Sequence, residues 1–152
     1  MLWLQPLKRY FEFSGRSSRA EYWQFLGVVA VAAAIGFVLD SGNPNALRTG
    51  VPTMSFIVLV ACVIPMYAVT FRRLHDRNMS GWAVGILWAF NVAALVTGEI
   101  KDGISSSIIA APFVLLYWLI VLIQVGIGIY LLTQVAQPGD AEANRFGPPP
   151  AA

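Results

Sequence analysis

The sequence predicts an all-α membrane protein, a four-transmembrane-helix bundle with an N-terminal interfacial amphipathic helix. Three observations predict it: an apolar composition, four apolar runs near spanning length, and basic residues crowded at one set of run ends. Hydrophobic residues make up 57% of the 152-residue chain, above the roughly 45–50% of soluble domains. Charged residues are only 12%, about half the usual share. They sit in short clusters, as they must when charge at mid-bilayer costs several kcal/mol.

The elements follow in chain order. Residues 1–16 carry Trp3, Leu4, Leu7, Tyr10 and Phe11 at helical spacing with Lys8, Arg9 and Glu12 between them, so this amphipathic segment is expected to lie flat at the interface. Residues 17–133 form the transmembrane domain, with helices at 23–39, 54–71, 82–97 and 108–132. At 1.5 Å per residue the first, second and fourth span about 26, 27 and 37 Å, against about 30 Å of hydrocarbon; the third spans about 24 Å. Asp40–Thr53, Arg72–Gly81 and Gly98–Ser107, rich in Gly, Pro, Ser or charge, read as loops. Residues 134–152 are polar and reach Pro148-Pro149-Pro150, the pattern of a flexible cytoplasmic tail.

Basic residues orient the bundle. Lys8, Arg9, Arg16 and Arg19 precede the first helix, Arg72, Arg73 and Arg77 follow the second, and Arg145 lies in the tail, whereas the opposite face has only Arg48 and Lys101. By the positive-inside rule the richer face is cytoplasmic, which puts both termini inside. A cleaved signal peptide ending near Ala30-Val31-Ala32 is disfavoured, because the apolar run continues through Ile35, Phe37 and Leu39.

The same counts exclude several function classes. A net charge of +2 with short polar segments does not make a nucleic-acid surface. One cysteine, Cys62, and one histidine, His75, make neither a disulfide nor a ligand set of metal-site spacing. No metal and no cofactor is expected.

Two segments hold most of the polar chemistry. In the first, Gly15-Arg16-Ser17-Ser18-Arg19-Ala20-Glu21-Tyr22-Trp23, Ser18 and Glu21 have capping-box spacing and mark a helix start. Tyr22 and Trp23 suit the headgroup zone. In the second, Arg72-Arg73-Leu74-His75-Asp76-Arg77, Asp76 lies four residues from Arg72 and three from Arg73, within pairing reach on a helix. Ser80 and Trp82 then open the third helix.

These boxes, with Pro138-Gly139 and Asn144-Arg145-Phe146-Gly147 in the tail, resemble the DUF805 family of bacterial inner-membrane proteins. The resemblance covers nearly the whole chain and departs only in the tail, where acidic Asp140-Ala141-Glu142 precedes Asn144. It implies a small helical bundle in the inner membrane and no particular reaction.

Glu21 is the one acid of the first box and Asp76 of the second, while Arg16, Arg19, Arg72, Arg73 and Arg77 outnumber them. Both boxes fall at one membrane depth, so the acids should pair with arginines across the bundle. The surplus arginines are then expected to meet an anionic lipid, a phosphorylated ligand or an acidic partner. This favours a non-catalytic scaffold or regulatory module that binds lipid, another membrane protein or a further copy of itself through Arg16, Arg19, Glu21, Arg72, Arg73, His75, Asp76 and Arg77. One alternative is a headgroup-level enzyme in which Asp76 orients His75 as general acid or base. Another is an oligomeric transporter or pore. Inside the membrane, Asn91 and Gln124 are expected at one depth, facing the interior as interhelical glue, with Cys62 at a similar depth and shielded from lipid or nearly so. Pro65 frees the Ala61 carbonyl, and the Ala32/Gly36 pair lets another backbone approach the first helix.

Overall fold

The computed structural model describes residues 1–43, 53–104 and 107–150. A 3-10 turn, Leu2–Leu4, leads into α1 (Gln5–Lys8), followed by α2 (Arg19–Ser41), α3 (Thr53–His75), α4 (Trp82–Gly103) and α5 (Ser107–Ala136). No strand occurs among the described residues, and α2 to α5 are long and apolar enough to cross a membrane. Their apolar side chains point outward: Val31, Phe37, Leu59, Leu95, Leu115 and Leu122 are each more than half exposed. An integral membrane protein solvates such surface with lipid, whereas soluble monomers rarely expose contiguous patches of this size.

The helices are longer than their apolar runs at one or both ends. Hydropathy marks the hydrocarbon thickness, but a helix continues through polar capping turns beyond it. Thus α2 begins at Arg19 rather than at 23, α3 continues to His75 rather than ending at 71, and α4 takes in 98–103, which read as loop. The loop expected between Asp40 and Thr53 lies largely outside the described residues, as do Arg48 and the Lys101 side chain. The amphipathic helix, conversely, is shorter than expected: it ends at Lys8, and Trp3 lies beside Gly27, Val28 and Val31 of α2.

The chain forms two compact units, Met1–Met79 with Pro138–Ala152, and Ser80–Gln137. In the first, α2 and α3 pack antiparallel around Phe25, Ala68, Val69 and Leu74, each at most 1% exposed. At one end of this pair a Cβ on Gly36 would come within 2.9 Å of the Ser55 nitrogen, so glycine is what permits the approach. There Asp40 caps α3 from its neighbour: Oδ1 accepts from the Met54 amide at 2.8 Å and Oδ2 from the Ser55 amide at 2.9 Å. In the second unit α4 packs on α5. Asn91 there is exposed and donates to the Leu87 carbonyl at 2.8 Å, while Gln124 is half-buried. No hydrogen bond joins the two side chains among the described residues. The carbonyl one turn back satisfies the amide locally, a common alternative for a polar side chain within a helix.

Candidate functional site

The other end of the α2–α3 pair gathers both sequence boxes. Helix polarity favours an acid in a first turn and bases in a last turn. Glu21 accordingly lies in the first turn of α2, and Arg72, Arg73 and His75 in the last turn of α3. Antiparallel packing brings these turns together. Ser18 caps α2, accepting from the Glu21 amide at 3.2 Å. The Glu21 carboxylate does not return to the cap as a capping box would have it; Oε1 pairs with Arg72 Nη2 at 3.3 Å instead.

Arg72 is fully buried and spends its whole guanidinium on the N-terminal segment and α2. Nε donates to Ser17 Oγ at 2.9 Å, Nη1 to the carbonyls of Glu12 and Arg9, and the Arg72 carbonyl accepts from the Ser17 amide at 3.1 Å. An unpaired buried guanidinium would be costly near lipid, which explains why a loop of otherwise irregular backbone wraps it. At the outer edge of that loop Arg9 and Glu12 form an exposed pair at 2.7 Å. The hydrogen bond from Arg9 holds the Glu12 carboxyl below its ordinary pKa.

Asp76 is the second hub. Its Oδ1 takes Arg16, with Nε at 2.9 Å and Nη2 at 2.8 Å, and its Oδ2 takes Arg73 Nη1. Both arginine side chains are at most 1% exposed. Arg16 thus corrects the expectation that it belongs to a surplus awaiting a ligand. Its remaining donors are spent on the tail, on the carbonyls of Glu142 at 2.7 Å, Gly147 at 3.3 Å and Asp140.

The tail, expected to be flexible, is docked here through residues 138–147. The Asp140 amide donates to the Asp76 carbonyl at 2.8 Å, Asn144 Nδ2 to the His75 carbonyl at 3.0 Å, and Arg145 Nη2 to the Asn78 carbonyl at 3.0 Å. Asn78, three residues past the end of α3, has φ of 55°, the left-handed conformation common just past a helix. Phe146 stacks on the His75 ring, centroids 3.8 Å apart and planes 4° from parallel. Gly139 lies against the Asp76 carboxylate so closely that a Cβ would overlap it. Sequence reasoning missed this docking because most acceptors are backbone carbonyls. The Gly139, Asn144 and Phe146 side-chain choices were the available signal.

His75 and Asp76 do not form the orienter pair the enzyme alternative needs. His75 Nδ1 lies 3.1 Å from the Gly15 carbonyl, and Asp76 faces the arginines. Arg77 is half-buried and engaged, whereas Arg19 is exposed and carries no ion pair among the described residues. Among those residues no buried side-chain nitrogen or oxygen lacks a hydrogen-bond partner, and no group of three metal-type ligands occurs.

A family described as "Protein of unknown function (DUF805)" matches residues 10–148, which takes in both boxes and the docked tail. The inner membrane protein YhaH of Escherichia coli (strain K12) is 32% identical over 97% of this chain and 94% of its own length. The inner membrane protein YhaI of the same strain is 41% identical over 55% of this chain and 70% of its own length. No solved structure matches the chain.

Proposed function

The chain belongs to the DUF805 family, and we propose that it is a multi-pass inner-membrane protein, with both termini cytoplasmic, that works as a non-catalytic interaction module for anionic phospholipid. Inner-membrane residence rests on the relatives' names together with four apolar helices. The orientation rests on the basic residues, nearly all of which lie toward the end that carries the boxes.

The observation that carries the non-catalytic reading is the closure of the charged cluster. Arg16, Arg72, Arg73, Glu21 and Asp76 bind one another and the backbone around them. An acid–base catalyst needs a titratable group free to reach a substrate proton, and the His75 ring is stacked beneath Phe146. The cluster closes on itself and leaves Arg19 exposed at its rim; in the proposed orientation that rim faces the headgroups of the cytoplasmic leaflet. A basic rim beside the cytoplasmic leaflet attracts anionic lipid at about 1 kcal/mol per residue.

Native mass spectrometry of the protein extracted with its lipids tests the reading. Retained phospholipid should be enriched in anionic over zwitterionic headgroups. Retention that mirrors bulk membrane composition would overturn it.

A further inference from the structure

Beside Asp76 lies a shallow, open cavity of about 210 Å³ lined by Ser18, Arg19, Arg73, Pro138, Gly139, Asp140 and Pro150 as well. It differs from the rest of the cluster because its walls come from three separate stretches: the start of α2, the end of α3 and the docked tail. We infer that this cavity is a binding site for a phosphate group, an inference that rests on the anionic-lipid reading and gives it a location.

Charge and shape argue for it together. Asp76, which would repel an anion, is neutralised on both oxygens by Arg16 and Arg73. Asp140 lines the pocket as well, but one of its oxygens, Oδ2, is engaged by Asn144 Nδ2 at 3.1 Å. Arg19 is the exposed lining cation and carries no ion pair among the described residues, so its planar fork can take two phosphate oxygens. The volume is well above what one water needs, and the open side leaves room for a phosphate group with part of its hydration shell. The tail is the outer wall, so docking of 138–150 completes the site instead of obstructing it.

A phosphate in this position could belong to a lipid headgroup or to a free anion, and two arms separate the sources. The full-length protein in neutral detergent is titrated with inorganic phosphate, and in nanodiscs with phosphatidylglycerol in a phosphatidylcholine background. A headgroup site gives saturable binding to phosphatidylglycerol with weak or no response to inorganic phosphate; a free-anion site gives the reverse. Arg19→Gln should weaken the responding arm about tenfold, the loss of one charge-assisted contact, with an unchanged melting profile. Asp140→Asn should tighten it. Lys8→Gln, which removes an exposed cation outside the cavity, should leave it unchanged. No saturable binding in either arm overturns the site. Equal weakening by Arg19→Gln and Lys8→Gln also overturns the site yet leaves the anionic-lipid reading standing, since lipid would then be held by diffuse charge.

Discussion

The Tyr10 hydroxyl donates to the Ala61 carbonyl at 2.8 Å, across 51 residues of sequence. That carbonyl is available because Pro65, one turn on in α3, has no amide to offer it. The segment ahead of α2 is thereby tied to a defect in α3. Tyr10→Phe is expected to cost about 1 kcal/mol, the net worth of one hydrogen bond. Pro65→Ala restores an amide that competes for the same acceptor, so Tyr10→Phe should cost far less in that background. A double-mutant cycle on unfolding in mixed micelles measures the coupling, and additive effects would sever the link between the two residues.

Which parts of the structure were legible follows from where their causes lie. The four spans were, because burial in lipid demands long apolar runs. Their ends were not. Asp40 follows an apolar run directly and read as loop, yet it stays in α2 and caps α3. The Glu21–Arg72 pair was legible from depth alone, since a first-turn acid and a last-turn base on antiparallel neighbours must meet. Arg16 was misjudged, as it is saturated by Asp76 and three tail carbonyls, and a carbonyl acceptor leaves no trace in side-chain pattern. The local bond of Asn91 was not legible for the same reason, because its acceptor is the Leu87 carbonyl of its own helix.

Arg16 and Asp76 are expected to behave as structure rather than as ligand-binding groups. Removing one partner of a buried ion pair costs about 3–5 kcal/mol, since the other charge is left without compensation. Arg16→Gln and Asp76→Asn should each cause loss of this order in steric-trapping or denaturant measurements. Arg16→Lys should rescue little, because a point charge cannot hold the carboxylate and three carbonyls at once. Wild-type stability in Arg16→Gln would return that arginine to the surface surplus.

Orientation is tested by reporter fusion at the C-terminus. A reporter active only in the periplasm should be silent there, and one active in the cytoplasm should work, if the proposed orientation, drawn from the basic residues, holds. At least four of the eight basic residues on this side would have to move before the opposite side, with Arg48 and Lys101, held the majority. Single substitutions at Arg19 or Arg77 should leave the topology unchanged.

Gly139 offers the cleanest way to release the tail without touching a charge. A Cβ there would overlap the Asp76 carboxylate, and that carboxylate cannot retreat without breaking its bonds to Arg16 and Arg73. The tail is the softer element, so Gly139→Ala should displace it and leave the α2–α3 core folded. Hydrogen exchange reads this directly. The Asp140 amide, bonded to the Asp76 carbonyl at 2.8 Å, should lose protection, and so should the Gly147 amide, bonded to the Asn144 carbonyl at 2.9 Å. The amide of Tyr22, bonded to the carbonyl of the cap residue Ser18 at 3.2 Å at the start of α2, should keep its own. Displacement also uncovers the Phe146 face of His75, so the histidine should become reactive toward diethyl pyrocarbonate in Gly139→Ala and stay slow in the parent. Unchanged exchange at Asp140 in that variant would mean that the tail is not held by its contact with Asp76.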